Sequence, residues 1–152
     1  MQNNTDTETV IGFGSEWSKF NQSKLSSTEA KLLFDRYFSI FPWKKINKNS
    51  VGFDMGCGSG RWAKFIAPMV KKLHCIDPSE AIFIAKEQLS SYQNCEFHNV
   101  SVDSPVFEKN SMDFGYSLGV LHHVPETQRA INDCVKILKI GSPFLIYLYY
   151  NF

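Results

Sequence analysis

The sequence predicts an α/β domain: a doubly wound, mostly parallel sheet with helices on both faces, cut short after its fifth strand. Two observations carry this expectation. Short apolar strands alternate with helical segments from Val51 onward, the pattern produced when helices cross between parallel strands. The first strand also runs directly into a glycine-rich bend, FDMGCGSGRW at residues 53–62. In such sheets crossovers are right-handed, and ligands sit beyond the carboxyl ends of the strands where the strand order reverses. Chemistry is therefore expected in the loops after strands one, two and four.

Residues 1–14 are polar and read as a loose tail, and SEWSKF from Ser15 starts a short helical segment. Residues 1–25 thus precede a domain running from 26 to 152. Ser26 and Glu29 have capping-box spacing, and Ala30, Leu33, Phe34, Tyr37 and Phe41 recur at helical intervals, so a helix is expected from Ser26 until Pro42 ends it. KINKNS is a polar turn, VGFDM a strand, and RWAKFIA a helix that Pro68 stops. KKLHCID forms the second strand, after which Ser79 is placed to cap a helix through AIFIAKEQL. CEFHNVSV and MDFGYSL are the third and fourth strands. ETQRAINDCVKILKI is an amphipathic helix with Ile131, Cys134, Val135 and Leu138 on its apolar face and Gly141 as its stop. PFLIYLYYNF is a fifth strand, almost continuously apolar as buried parallel strands are. Ending there leaves an apolar edge, which proteins usually cover. Either the chain is a piece of a longer enzyme or another chain covers that edge, a second copy pairing through the last strand among the choices.

At 152 residues the chain suffices for one core. A net charge of +1 offers no nucleic-acid or membrane-surface signature. Cys57, Cys75, Cys95 and Cys134 are scattered, with neither a CxxC pair nor a histidine-rich cluster, so no metal site and no disulfide framework is expected. A reducing, cytoplasmic setting fits them. The amino terminus lacks the features of a secretory signal, and no run approaches the roughly 20 apolar residues of a membrane helix.

The glycines carry the chemistry. A strand that turns abruptly into a helix needs positive φ or close backbone approach, and Gly56, Gly58 and Gly60 supply both. They serve either as a plain tight turn or as a cradle whose bared amides suit a phosphate or carboxylate. A dinucleotide fingerprint counted from Gly56 needs glycine where Arg61 stands, and no GK[ST] follows for a Walker-type loop.

Asp54 followed by Gly56, Gly58 and Gly60, with Cys57 in the small slot, resembles the first motif of the class I S-adenosylmethionine-dependent methyltransferases, type 11-like and Rossmann-like in fold. NSMDFGYSLGVLHHVPE at 110–126 is similar to the family's "N-S-F-D…L-H-H-V-P" segment, and LKIGSPFLI to its "L-K-P-G-G" entry into strand five. With Asp77 closing the second strand, the resemblance covers residues 51–148.

That resemblance implies S-adenosyl-L-methionine as cofactor, bound by Asp54, Met55, Gly56, Cys57, Gly58, Gly60, Asp77, Pro78, Ser101, Val102, Ser117, Leu118 and Gly119. It implies that Asp54 orients the loop and reaches the cofactor's ammonium, where a bare reading of the residue is a cap on the following helix. Asp77 stands where the family's acid accepts both ribose hydroxyls, a task suited to an acceptor-only group with two oxygens; its bland reading is Asp-Pro-Ser turn chemistry. Ser101 occupies the position of the acid near the adenine amino group, with Asp103 two residues on. Val102 offers an apolar surface to the ring or belongs to the core. Ser117, Leu118 and Gly119 pack against the methionine part. His122 and His123 lie beside the expected methyl group, either taking a proton from the acceptor or holding the loop. Trp17, Trp43 and Trp62 read as packing residues, although family relatives fold their amino-terminal segment over the cofactor, which brings Trp17 and Phe20 toward the pocket.

The function these features imply is methyl transfer to a small-molecule acceptor by direct displacement, the acceptor being a metabolite, sugar or lipid-linked intermediate. No NPPY-like motif follows strand four and no basic stripe suggests a nucleic acid. A non-catalytic cofactor-binding or scaffold module, and a nucleotide-dependent oxidoreductase, are the alternative readings.

Overall fold

Five strands, β1 (Val51–Met55), β2 (Lys72–Ile76), β3 (Cys95–His98), β4 (Phe114–Leu118) and β5 (Phe144–Tyr147), form one sheet in the order β3-β2-β1-β4-β5. Every pairing is parallel. The computed structural model describes residues 4–12, 26–104 and 106–149. The strand order reverses between β1 and β4, so the switch point lies above the carboxyl end of β1, where the glycine bend begins.

Helices α1 (Ser27–Tyr37), α2 (Ala63–Ile66), α3 (Ala81–Gln88) and α4 (Thr127–Ile137) cover the two faces. Phe34 of α1, Ala63 and Ile66 of α2, and Ile82 and Ala85 of α3 share one core with Leu73, Cys75, Phe114, Tyr116 and Leu145 of the sheet. Ala130 and Cys134 of α4 share the other with Phe53, Met55 and Ile76. Alternate residues of each strand thus face opposite cores, as the pleat requires. No helix among the described residues is long and apolar enough to cross a membrane.

Register at the switch point is held by two reciprocal glycine–phenylalanine pairs. Gly52 of β1 stands opposite Phe114 of β4, and Phe53 opposite Gly115. Each ring lies over the neighbouring strand's glycine, so a Cβ on Gly52 would meet the Phe114 ring at 2.3 Å and one on Gly115 the Phe53 ring at 2.2 Å. These fully buried rings can fill both cores only because the residues beside them lack side chains.

The elements follow the sequence expectation with local corrections. The Ser26–Glu29 capping box is present: the Ser26 Oγ accepts from Glu29 N at 3.2 Å, and Ser26 N donates to Glu29 Oε2 at 3.0 Å. The helix ends at Tyr37, before the expected Phe41; Phe38 and Phe41 enter the core from the turn that follows. Pro68 does not stop the helix after the glycines: α2 already ends at Ile66, and Pro68 sits in a 3-10 turn, Ala67–Met69, near its start, where no amide is required. The third strand stops at His98, and the Asn99 side chain that follows donates to the carbonyls of Asp77 and Ser79, at 3.0 and 3.1 Å. On α4, Val135 is 52% exposed, and the buried stripe is Ala130 and Cys134. Leu138 is already extended and forms a bridge with Met112, so Gly141, at φ 79°, shapes a later turn and does not end the helix. Among the described residues β5 lies at the end of the sheet, with Leu145 buried and Tyr147 41% exposed. The helical segment expected from Ser15, and the last residues of the chain, lie outside the described residues.

Gly52→Val and Gly115→Val are expected to lower stability by about 1–3 kcal/mol through overpacking. Thermal unfolding followed by circular dichroism checks this, and unchanged melting temperatures would show that the rings can swing aside.

Candidate functional site

The bend after β1 is tied to the end of β2 by one carbonyl. Gly56 N and Cys57 N both donate to the Ile76 oxygen, at 2.7 and 3.0 Å, and Gly58 N donates to Asp77 Oδ2 at 2.8 Å. Three glycines at φ 78°, 52° and 83° let the chain turn this sharply. Two of them also admit close neighbours: a Cβ on Gly56 would lie 2.4 Å from Val120, and one on Gly60 2.7 Å from Leu89. Ser117 Oγ, fully buried on β4, donates to the Met55 carbonyl at 2.8 Å and so holds the end of β1 from its other side.

Asp77 is buried and oriented by three hydrogen bonds. Besides Gly58, it accepts from Ser79 N at 2.9 Å and Ser79 Oγ at 2.6 Å, both on Oδ1. A carboxylate has about four acceptor positions, so one on Oδ2 remains for an incoming donor. Ser79 does not act as the helix cap proper, since Glu80 occupies that position, but its hydroxyl oxygen still accepts from Ala81 N at 3.2 Å.

Above these groups lies a cavity of about 380 Å³. Of the residues expected at a cofactor site, Met55, Gly56, Cys57, Gly58, Asp77, Pro78, Ser101, Val102, Leu118 and Gly119 line it, and so does His123. Asp54, Gly60, Ser117 and His122 do not. Gly60 packs beneath against α3, and Ser117 is the clamp just described. Asp54 points into the α1–α3 core, in register with Cys75 and Tyr116. Its carboxyl and the Tyr116 hydroxyl are buried side by side. Burial pushes the Asp54 carboxyl up to about 8, with the charge of Asp77 adding to the shift and the Tyr116 hydroxyl opposing it.

The two histidines sit in a 3-10 turn, Leu121–His123, after β4, their ring centroids 3.9 Å apart. Burial lowers the pKa of both, and in His122 the neighbouring His123 adds to the shift. Neutral imidazoles are therefore favoured near pH 7, the form that can accept a proton. The His122 ring packs edge-on against Tyr149 at 5.2 Å.

Part of the wall was not foreseen in the sequence. Arg61, stacked over Trp62 at 4.4 Å, lines the cavity together with Tyr37 and Tyr149. Asn4, Thr5, Asp6, Thr9 and Val10 close another side, so residues 4–12 are not a loose tail. Asn4 is buried: its side chain donates to the Glu126 carbonyl at 2.9 Å and accepts from Glu126 N at 2.8 Å, while Asn4 N donates to Asp103 Oδ2 at 2.8 Å. Asp103, which also accepts from the Ser101 hydroxyl, thus anchors this segment and does not line the cavity. The signal that marks it is Asp6, whose carboxylate accepts from Glu8 N, Thr9 N and Thr9 Oγ1 at the start of a helical turn over residues 7–12. Trp17 and Phe20 lie outside the described residues.

Comparison with known proteins gives this geometry its context. Residues 53–146 match a family model described as a methyltransferase domain. The chain is 32% identical over 100 residues to phosphoethanolamine N-methyltransferase 2 of Caenorhabditis elegans, covering 63% of this chain and 23% of that protein. It is 25% identical over 91 residues to the ubiquinone biosynthesis O-methyltransferase of Coxiella burnetii, covering 59% and 39% respectively. It therefore spans less than half the length of either curated relative. A crystal structure of a SAM-dependent methyltransferase from Aquifex aeolicus shares the fold with a TM-score of 0.61 at 19% identity, covering 81% of this chain and 72% of that one.

The raised pKa of Asp54 sets the sign of a stability effect. Folding favours the protonated carboxyl, so this contribution is complete below about pH 3.8 and is lost as pH rises toward about 8. Asp54→Asn keeps the shape and removes the titration. Its melting temperature relative to the parent should climb across that interval, and a difference independent of pH would show that Asp54 ionises as an exposed carboxyl does.

Proposed function

The chain belongs to the S-adenosylmethionine-dependent methyltransferase family, and on that premise we propose that it transfers a methyl group to nitrogen or oxygen of a small-molecule acceptor held beside His123. The single observation that carries this reading is the convergence, on one cavity, of the glycine bend, the preoriented Asp77 and His123.

The residues present fit the cofactor. The open acceptor position on Asp77 Oδ2 suits a sugar hydroxyl, and a second hydroxyl would compete with Ser79 Oγ for Oδ1. Val102, Leu121 and Pro78 offer apolar surface for a base, and Arg61 offers a cation for a carboxylate. Bound there, S-adenosylmethionine supplies an activated sulfonium methyl for direct displacement. The protein's part is orientation and exclusion of water, which lowers the barrier by removing the entropy cost of bringing two reactants together. His123, neutral and facing the cavity, takes the proton that the acceptor's N–H or O–H releases. His122 does not line the cavity; its ring packs on His123 and Tyr149, and its role is to position the turn that carries His123. The small-molecule class is supported by two of the relatives, whose names specify phosphoethanolamine and ubiquinone biosynthesis.

Calorimetric titration with S-adenosylmethionine checks the cofactor site: Asp77→Ala should weaken binding by about 10-fold or more, as expected for losing a charge-assisted hydrogen bond. Unaltered affinity would remove Asp77 from the site. Turnover is read as S-adenosylhomocysteine release with phosphoethanolamine as a first acceptor. His123→Ala should lower kcat by about 100-fold without changing cofactor affinity, whereas His122→Ala should do so less. Equal losses in the two variants would mean that neither ring acts on the acceptor.

A further inference from the structure

At the β3 edge of the sheet, on the face covered by α4, three side chains that can ligate a metal converge away from the cavity. His74 of β2 stands in register with Glu96 of β3, and His98 follows on the same face. His74 Nδ1 lies 3.0 Å from His98 Nε2 and 3.3 Å from Glu96 Oε2, and the three donor atoms all fall within 4.8 Å of one another. Ligands held about 2.0–2.2 Å from a tetrahedral zinc ion stand roughly 3.3–3.5 Å apart, so the His74–Glu96 separation already suits one and the two imidazoles must move apart to admit it.

We propose that His74, Glu96 and His98 form a three-ligand site for a zinc-type divalent ion, its fourth position taken by water. Two imidazole nitrogens and one carboxylate oxygen are a donor set of the kind zinc accepts. Lys72 pairs with Glu96 Oε1 and leaves Oε2 turned toward the rings. Phe107 packs edge-on against His74 and His98, with centroids 5.0 and 5.1 Å away, giving the site a dry wall. The ion pins the edge strand to β2, next to the cofactor site, because the His98 carbonyl accepts from Asp77 N at 3.1 Å. The expectation of no metal site rested on the spacing of the cysteines and the lack of a histidine cluster in the linear sequence; this grouping is created by strand pairing. The competing state is a neutral imidazole–imidazole hydrogen bond with a proton where the ion would sit.

The test titrates zinc chloride into the reduced full chain by isothermal calorimetry. Saturable uptake of one equivalent with a raised melting temperature is expected. His98→Gln and Glu96→Gln should each weaken it by at least about 10-fold. The Glu96 side chain is 45% exposed, so Glu96→Gln decides the matter if His98→Gln fails to fold. The cobalt(II) complex should show no thiolate-to-metal charge-transfer band. Absence of uptake, uptake undiminished in Glu96→Gln, or a thiolate band that assigns the ion to the cysteines would each overturn the proposal.

Discussion

The site depends on the Ile76 carbonyl. By accepting from both Gly56 and Cys57, it makes the β1–β2 ladder overrun into the bend, so the bend is a continuation of the sheet and not a loop hung on its end. Asp77 adds the next step, because its Oδ2 takes the Gly58 amide. Glycines spend more conformational entropy on ordering than other residues, and this bend contains three of them. Hydrogen bonds from fixed strand ends are what make its shape reproducible, and a preorganised cradle loses less on binding a ligand.

A second constraint acts one layer below. Asp54 is buried beside Tyr116, and the carboxyl is driven toward its neutral form. A charged carboxylate there would cost several kcal/mol unless paired. The same position is expected from family resemblance to reach the cofactor's ammonium. In this geometry Asp54 does not line the cavity. Ser117 acts as a clamp on Met55. Ser117 thus supports the end of β1 without lining the cavity, and motif membership by itself does not separate contact from support.

Much of the fold was legible from local patterns. The strand VGFDM, the Ser26–Glu29 capping box and the glycine bend are written in adjacent residues, whose backbone preferences act without reference to the rest of the chain. The misjudged details share one cause. Val135 lies one residue from the buried Cys134, and Leu138 is drawn out of helical geometry by a bridge to Met112. Each depends on a neighbour distant in sequence.

The sequence by itself determined the alternation of strands and helices, the bend and the placing of an acid at the end of β2, since each rests on short-range sterics and periodicity. Only the tertiary structure decided which motif residues face the cavity, that Asn4 docks against Glu126 and Asp103, that Arg61 joins Tyr37 and Tyr149, and that His74, Glu96 and His98 meet. Those groupings are set by strand order and register, through which a parallel ladder brings residues tens of positions apart to within a few ångströms.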